Sequence, residues 1–122
     1  MDVLEILLNS DKPKLPEKQI KIRRLSEEFK KDVVFDIKAL TYNKVTELKA
    51  QHVGENLDVH ILLAGVTSPN LKSEELKNKY NAVTPAEMIK NMLLPGEIED
   101  ISKEVEKLSG YRVATVEEIK KK

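Results

Sequence analysis

The stretch from Thr84 to Leu108, "TPAEMIKNMLLPGEIEDISKEVEKL", narrows most what this chain can fold into. Thr84-Pro85-Ala86-Glu87 is a helix start signal. Thr offers the N-cap oxygen, Pro at the first helical position loses no needed donor, and Glu at the third can reach back to complete a capping box. The helix it opens presents Met88, Met92 and either Ile89 or Leu93 on one side. The apolar run Met92-Leu93-Leu94 then meets Pro95-Gly96, where Pro95 either ends that helix or begins the next. Beyond it Ile98, Ile101, Val105 and Leu108 recur at spacings of three, four and three residues, the stripe of an amphipathic helix. Ser109-Gly110 closes it, with Gly at the position just past the cap. Two striped helices joined by a rigid turn must bury their stripes on each other, on the rest of the chain, or on a partner.

The other segments supply what those stripes can pack on. Val3, Leu4, Ile6, Leu7 and Leu8 form a short amphipathic helix with Asp2 at its positive end. Asn9-Ser10-Asp11 and the prolines at 13 and 16 stop it, so residues 10–18 read as a linker. In "QIKIRRL", Ile20 and Ile22 alternate with Lys21 and Arg23, the period of a half-buried strand. "DVVFDIKAL" repeats the pattern, with Val33, Phe35 and Ile37 against Val34, Asp36 and Lys38. "SEEFKK" reads as the connection between the two strands. Such a pair is marginal alone and must pack on helices or meet another chain.

From Thr41 the period changes, and Tyr42, Val45, Leu48 and Lys49 fall on a helical stripe. Residues 57–66 fit both periods; helix is favoured because their apolar positions cover both faces. "TSPNL" reads as a turn, and Ser73 as the N-cap of a short helix that Asn81 can end in the left-handed conformation. Thr115-Val116-Glu117-Glu118 is a second capping box, predicting a tail helix that runs into Lys120–Lys122. The expected fold is α+β, mainly helical, with a small antiparallel sheet of two strands or slightly more near the N-terminus, in a single domain over residues 1–122.

Composition then excludes chemistry. A chain of 122 residues can bury a core without disulfide or metal, and it has no cysteine. Acidic and basic residues balance at 21 each, so nothing pulls the chain toward nucleic acid or an anionic membrane. Three Tyr, two Phe and no Trp make a poor base-stacking surface. The opening "MDVLEILLNSDK" starts acidic and is interrupted by Glu5, unlike a signal peptide, and no apolar run is long enough to span a bilayer. A cytoplasmic protein is expected. His52 and His60 straddle Gly54 at the wrong spacing for a helical metal pair and read as ordinary polar residues. Glu97, Glu99, Asp100, Glu104 and Glu106 read as a solvated helix face rather than an acid/base pair. The basic "KIRRLS" reads as an exposed strand face. The Met92–Leu94 run stays open between core and partner-binding patch. What is left is a contact protein with no visible active site.

Ordered pieces along nearly the whole chain resemble the XkdN-like tail assembly chaperones of contractile-tailed phages and prophages. They are "EILLNSD", "IRRLSEEF", "FDIKALTYNKVTEL", "LLAGVTSPNLKSEELKNKY" and "AVTPAEMIKNMLLPGEIEDISKEVEKLSGY". Asn81 stands where such sequences are expected to favour Gly, a change the left-handed backbone tolerates. The resemblance implies a non-enzymatic chaperone, without cofactor, that binds the tape measure protein during tail morphogenesis and is absent from the mature virion. It also implies a longer, frameshifted form of the chain as partner, and Lys120–Lys122 is compatible with an A-rich slippery run. Rings or spirals of the chain along a long helical client would make it a homo-oligomer. The expected protein-binding residues are Met88, Met92, Leu93, Leu94, Ile98, Ile101, Val105 and Leu108, which could pack on each other when empty and on a client helix when engaged. The rival reading is a small structural or regulatory adaptor acting through helix–groove protein contacts.

Overall fold

A computed structural model describes residues 2–120. In chain order it holds α1 (Val3–Asn9), β1 (Glu17–Lys21), α2 (Arg23–Phe29), β2 (Val34–Lys38), α3 (Tyr42–Gln51), α4 (Gly54–Gly65), β3 (Val66–Ser68), α5 (Glu74–Lys79), α6 (Pro85–Met92) and α7 (Pro95–Leu108). The fold is α+β: helices packed with a three-stranded antiparallel sheet of order β1-β2-β3.

The sheet has three strands, within the two or slightly more expected, but its strands are bounded differently than the alternation predicts. β1 starts at Glu17, so the linker gives up residues 17 and 18 to the strand. Pro16 already accepts a hydrogen bond from the Ala39 N–H at 2.9 Å. Ile22 ends the extended run and serves as the backbone cap of α2. "RRLSEEF" is therefore helical, where the period of two suggested strand and then loop. The cause is tertiary: Leu25 and Ser26 are buried on one helical face. Ser26 Oγ donates to the Ile22 carbonyl at 2.8 Å and accepts from the Val33 N–H at 2.8 Å. Lys30 closes the helix in the left-handed conformation. In β2, Phe35 and Ile37 face inward as the pattern predicts. β3 follows α4 without a loop, where the sequence reads as a turn, and pairs Val66 with Ile37 and Ser68 with Asp36.

Residues 57–65 are helical, as favoured, within an α4 that buries Val59, Ile61 and Leu62. α4 lies against α7, α6, α3 and β3, and α7 also meets β2. One apolar cluster results, with Leu62, Met88, Ile89 and Val105 wholly buried. The caps hold the frame. The Leu76 N–H donates to Ser73 Oγ at 3.2 Å, and Asn81 takes the left-handed conformation expected of it. The Glu87 N–H donates to Thr84 Oγ1 at 3.1 Å, but the Glu87 carboxylate reaches back to the Val83 N–H, one residue outside the usual box. Pro95 opens α7 rather than ending α6.

The predicted tail helix is missing: residues 113–120 carry no helix. Val113, Val116 and Ile119 are exposed there, and so short a segment does not hold helical form in water without a surface to pack on. Lys121 and Lys122 of the lysine run lie outside the described residues.

Candidate functional site: grooves beside α7 and an undocked N-terminal helix

α7 holds the centre of the candidate site because its two flanks carry different side chains. Its start is fixed by Glu97, whose carboxylate accepts the Leu94 N–H at 2.7 Å. The same carboxylate takes Arg24 of α2 in a two-pronged pair, Nε at 3.0 Å and one terminal nitrogen at 2.9 Å. Arg24 also donates to the Met92 carbonyl at 3.2 Å, so one guanidinium ties α2 to the α6–α7 joint. That pair, helped by the Leu94 amide, holds the Glu97 carboxyl below its ordinary pKa.

On one flank, α4 and the α6–α7 joint enclose a groove of about 270 Å³. Its apolar floor is Val59, Leu93, Pro95 and Ile98, and Glu55, Asp58, Lys90 and Glu99 are among its polar rim. Asp58 receives the Ser102 hydroxyl at 3.3 Å, and partial burial raises its pKa. On the other flank, β1 and the start of α2 face α7 across a wider groove of about 620 Å³. Ile20, Ile22 and Ile101 line it, with Lys21, Arg23, Arg24 and Glu27 on the β1–α2 side and Glu97, Asp100 and Glu104 on α7.

The sequence-predicted contact residues separate into three groups. Met88 and Val105 are wholly buried, and Ile101 nearly so, with its edge in the wide groove. Leu93 and Ile98 are also core residues whose edges line the narrow groove. Met92 and Leu108 are half-buried, and only Leu94 is exposed, at 51%. The stripes of α6 and α7 thus close on the body of the protein. Of the acidic residues of α7, Glu99 and Asp100 are exposed and Glu97, Glu104 and Glu106 are half-buried; Glu99 pairs with Lys103 at 2.7 Å, Glu106 with Arg112 at 2.9 Å, and Glu104 with Lys18 and Lys107. His52 and His60 stack with ring centroids 3.6 Å apart, and burial together with the neighbouring His52 lowers the pKa of His60.

What the motifs missed is α1. None of its residues is buried, and Leu4, Leu7 and Leu8 are 64%, 73% and 71% exposed. Its signal was present in the sequence: five apolar residues within Val3–Asn9 leave only a narrow polar strip, and a proline linker follows.

Fold and surface together define a small protein of apolar contact. Among the described residues no three or more His, Cys, Asp or Glu are grouped so that they could hold a metal ion, and no described helix is long and apolar enough to cross a membrane. Residues 4–120 match the phage XkdN-like tail assembly chaperone family, and the chain belongs to that family. It shares its fold with the protein yqbn, known from a crystal structure. The TM-score is 0.71 and the identity 20%, over 91% of this chain and 98% of that one. No curated protein matches the chain.

Proposed function

We propose that this tail assembly chaperone binds the tape measure protein before and during tail tube assembly, without catalysis. It would hold apolar helix faces of that client against the narrow groove between α4 and the α6–α7 joint. The observation that carries the reading is the groove's apolar floor of Val59, Leu93, Pro95 and Ile98, with the exposed Leu94 between two of those residues in the chain. An amphipathic helix docks on such a surface by laying its i, i+3, i+4 side chains into the groove. The half-buried Met92 sits next to it, an adaptable thioether suited to varied apolar partners.

The test is co-expression with the tape measure protein, followed by pull-down and light scattering. A soluble complex is expected, with the client aggregating when alone. Leu94→Asp should weaken the complex while leaving the chaperone's own unfolding midpoint in place, because that side chain is outside the core. A client equally insoluble with and without the chain, and with the frameshifted longer form that the resemblance implies, would refute the reading.

A further inference from the structure

We propose that the tail of this chain, residues 113–120, folds back as a helical turn into the narrow groove between α4 and the α6–α7 joint, and covers it until a partner displaces it. The tail has the chemistry of a helix start but nothing to form on. Thr115 and Glu118 supply a capping box, yet residues 113–120 carry no helix, and Val116 and Ile119 are 88% and 87% exposed. A surface that buried those two side chains would supply what the turn lacks.

The tail starts on the right face of α7 and at the right distance. Arg112, just before it, pairs with Glu106 at 2.9 Å. Glu106 and Glu99 are two helical turns apart on α7, so they share a face at a separation of about 10 Å. Glu99 stands on the rim of the narrow groove. Residues 113–115, extended, cover about 10 Å and bring Val116 to the groove. In a turn capped by Thr115, Val116 and Ile119 lie three residues apart on one side, where they meet the floor of Val59, Leu93, Pro95 and Ile98. By the ordinary helical rotation Lys120 flanks that side at the rim, and Glu117 and Glu118 turn away from it.

The charges agree when every group of the lining is counted. It holds the carboxylates of Glu55, Asp58 and Glu99 and the ammonium of Lys90. Glu99 is paired with Lys103, and Lys90 donates to Asn56 Oδ1 at 3.1 Å. Glu55 and Asp58 have no ion-pair partner among the described residues. Asp58 is short of positive charge: burial raises its pKa, the Ser102 hydroxyl and Lys103 oppose this, and Glu106 and Glu99 add to it. Lys120 supplies a cation at that rim. A tail seated there and a client helix compete for one floor; the competition rests on the client reading above, and the docking does not.

The chain has no cysteine, so Glu117→Cys takes a single nitroxide spin label on the outward side of the tail, and amide NMR reads what lies near it. Broadening is expected at Glu55, Asn56 and Lys90. Val116→Asp with Ile119→Asp should abolish it. Lys120→Glu should reduce it several-fold, and adding Glu55→Lys should restore it. Broadening confined to the tail and the end of α7 would overturn the proposal. So would a double Asp variant that broadens the groove amides as the unaltered tail does. Without the label, Val116→Asp with Ile119→Asp should bind the tape measure protein several-fold more tightly, because no fraction of its grooves is covered. With docking seen by NMR, a client bound equally by both chains would sit outside this groove and overturn the client reading of it, not the docking.

Discussion

Gly65→Ala tests how the two central helices are fitted together. Gly65 is buried in the last turn of α4, facing α7. A Cβ built there would lie 2.5 and 2.6 Å from the two γ-carbons of Val105 and 3.1 Å from its Cβ. Ordinary carbon contact is about 3.5–4.0 Å, so the neighbours must yield by about 1 Å. Rotating Val105 does not relieve the clash, because both γ-carbons and the Cβ crowd the site and the side chain is wholly buried. Overpacking of this kind costs about 1–3 kcal/mol, and alanine's better helix propensity returns at most about 1 kcal/mol. A net loss of about 1–2 kcal/mol is expected, although the change would stabilise an exposed helix.

The companion variant makes the cause identifiable. Val105→Ala alone should cost about 2 kcal/mol, from two lost methyl groups and the space they leave. Together the substitutions relieve each other, since the new methyl at 65 enters the space vacated at 105. The double variant should be no less stable than Val105→Ala, a coupling of about 1–2 kcal/mol. Urea unfolding followed by circular dichroism reads all four corners, provided the slope with denaturant stays constant. A Gly65→Ala protein as stable as wild type, or a double variant that is simply additive, would refute the α4–α7 fit described above.

The remaining predictions concern caps and charge. Lys30 holds the left-handed conformation at the end of α2, so Lys30→Gly should stabilise by about 0.5–1 kcal/mol after the added chain entropy; Asn81→Gly should gain less because Asn tolerates that backbone, as paired thermal melts would show. Glu97 and Glu104 both have folded pKa values below the ordinary carboxylate range, through Arg24 and Lys18 respectively. Their stabilisation is therefore present above that range and lost as pH falls through the folded values. Glu97→Gln should flatten part of the acid limb of a stability–pH curve, and an unchanged limb would dissociate Glu97 from it. His60, whose pKa is lowered, should weaken the fold as pH drops below about 6.5, and His60→Gln should remove that part of the slope.

The parts of the fold legible in the sequence are those with strong local chemistry. Thr84-Pro85 and Pro95 each open a helix at the residue they mark, and Ser73 and Asn81 cap and close as read. The stripe Ile98, Ile101, Val105 faces the core as its period requires. Where reading failed, tertiary contacts overrode local pattern. Ile20 and Ile22 do both point inward, but Arg23–Phe29 turns helical because Leu25 and Ser26 have a surface to bury against. β3 has only three residues, and nothing in Val66-Thr67-Ser68 announces a strand until β2 lies beside it. Thr115-Val116-Glu117-Glu118 has the capping chemistry but no surface for Val116 or Ile119, and forms no helix. The site was legible only in outline: the α6–α7 joint marks the narrow groove. The wide groove joins residues some eighty positions apart in sequence, such as Arg23 and Asp100, and no local period reports it.

The placement of apolar surface bears on how such a chaperone could let go. The helices with the clearest stripes, α6 and α7, are closed on the body, and what they offer outside it is limited to groove-lining edges such as those of Pro95 and Ile98. Beyond Leu94 and scattered single residues, exposed apolar residues gather in α1, seven residues long, and in an irregular segment from Val113 to Ile119. Segments this short acquire lasting structure only against a partner, so each contact they make includes the cost of ordering them. That cost lowers affinity per unit of buried area and keeps the contact reversible. A rigid, preformed apolar face of the same size would bind more tightly and aggregate more readily. For a protein proposed to coat a client during assembly and to leave before the tail is complete, weak contacts repeated along a long partner hold firmly together and release one at a time.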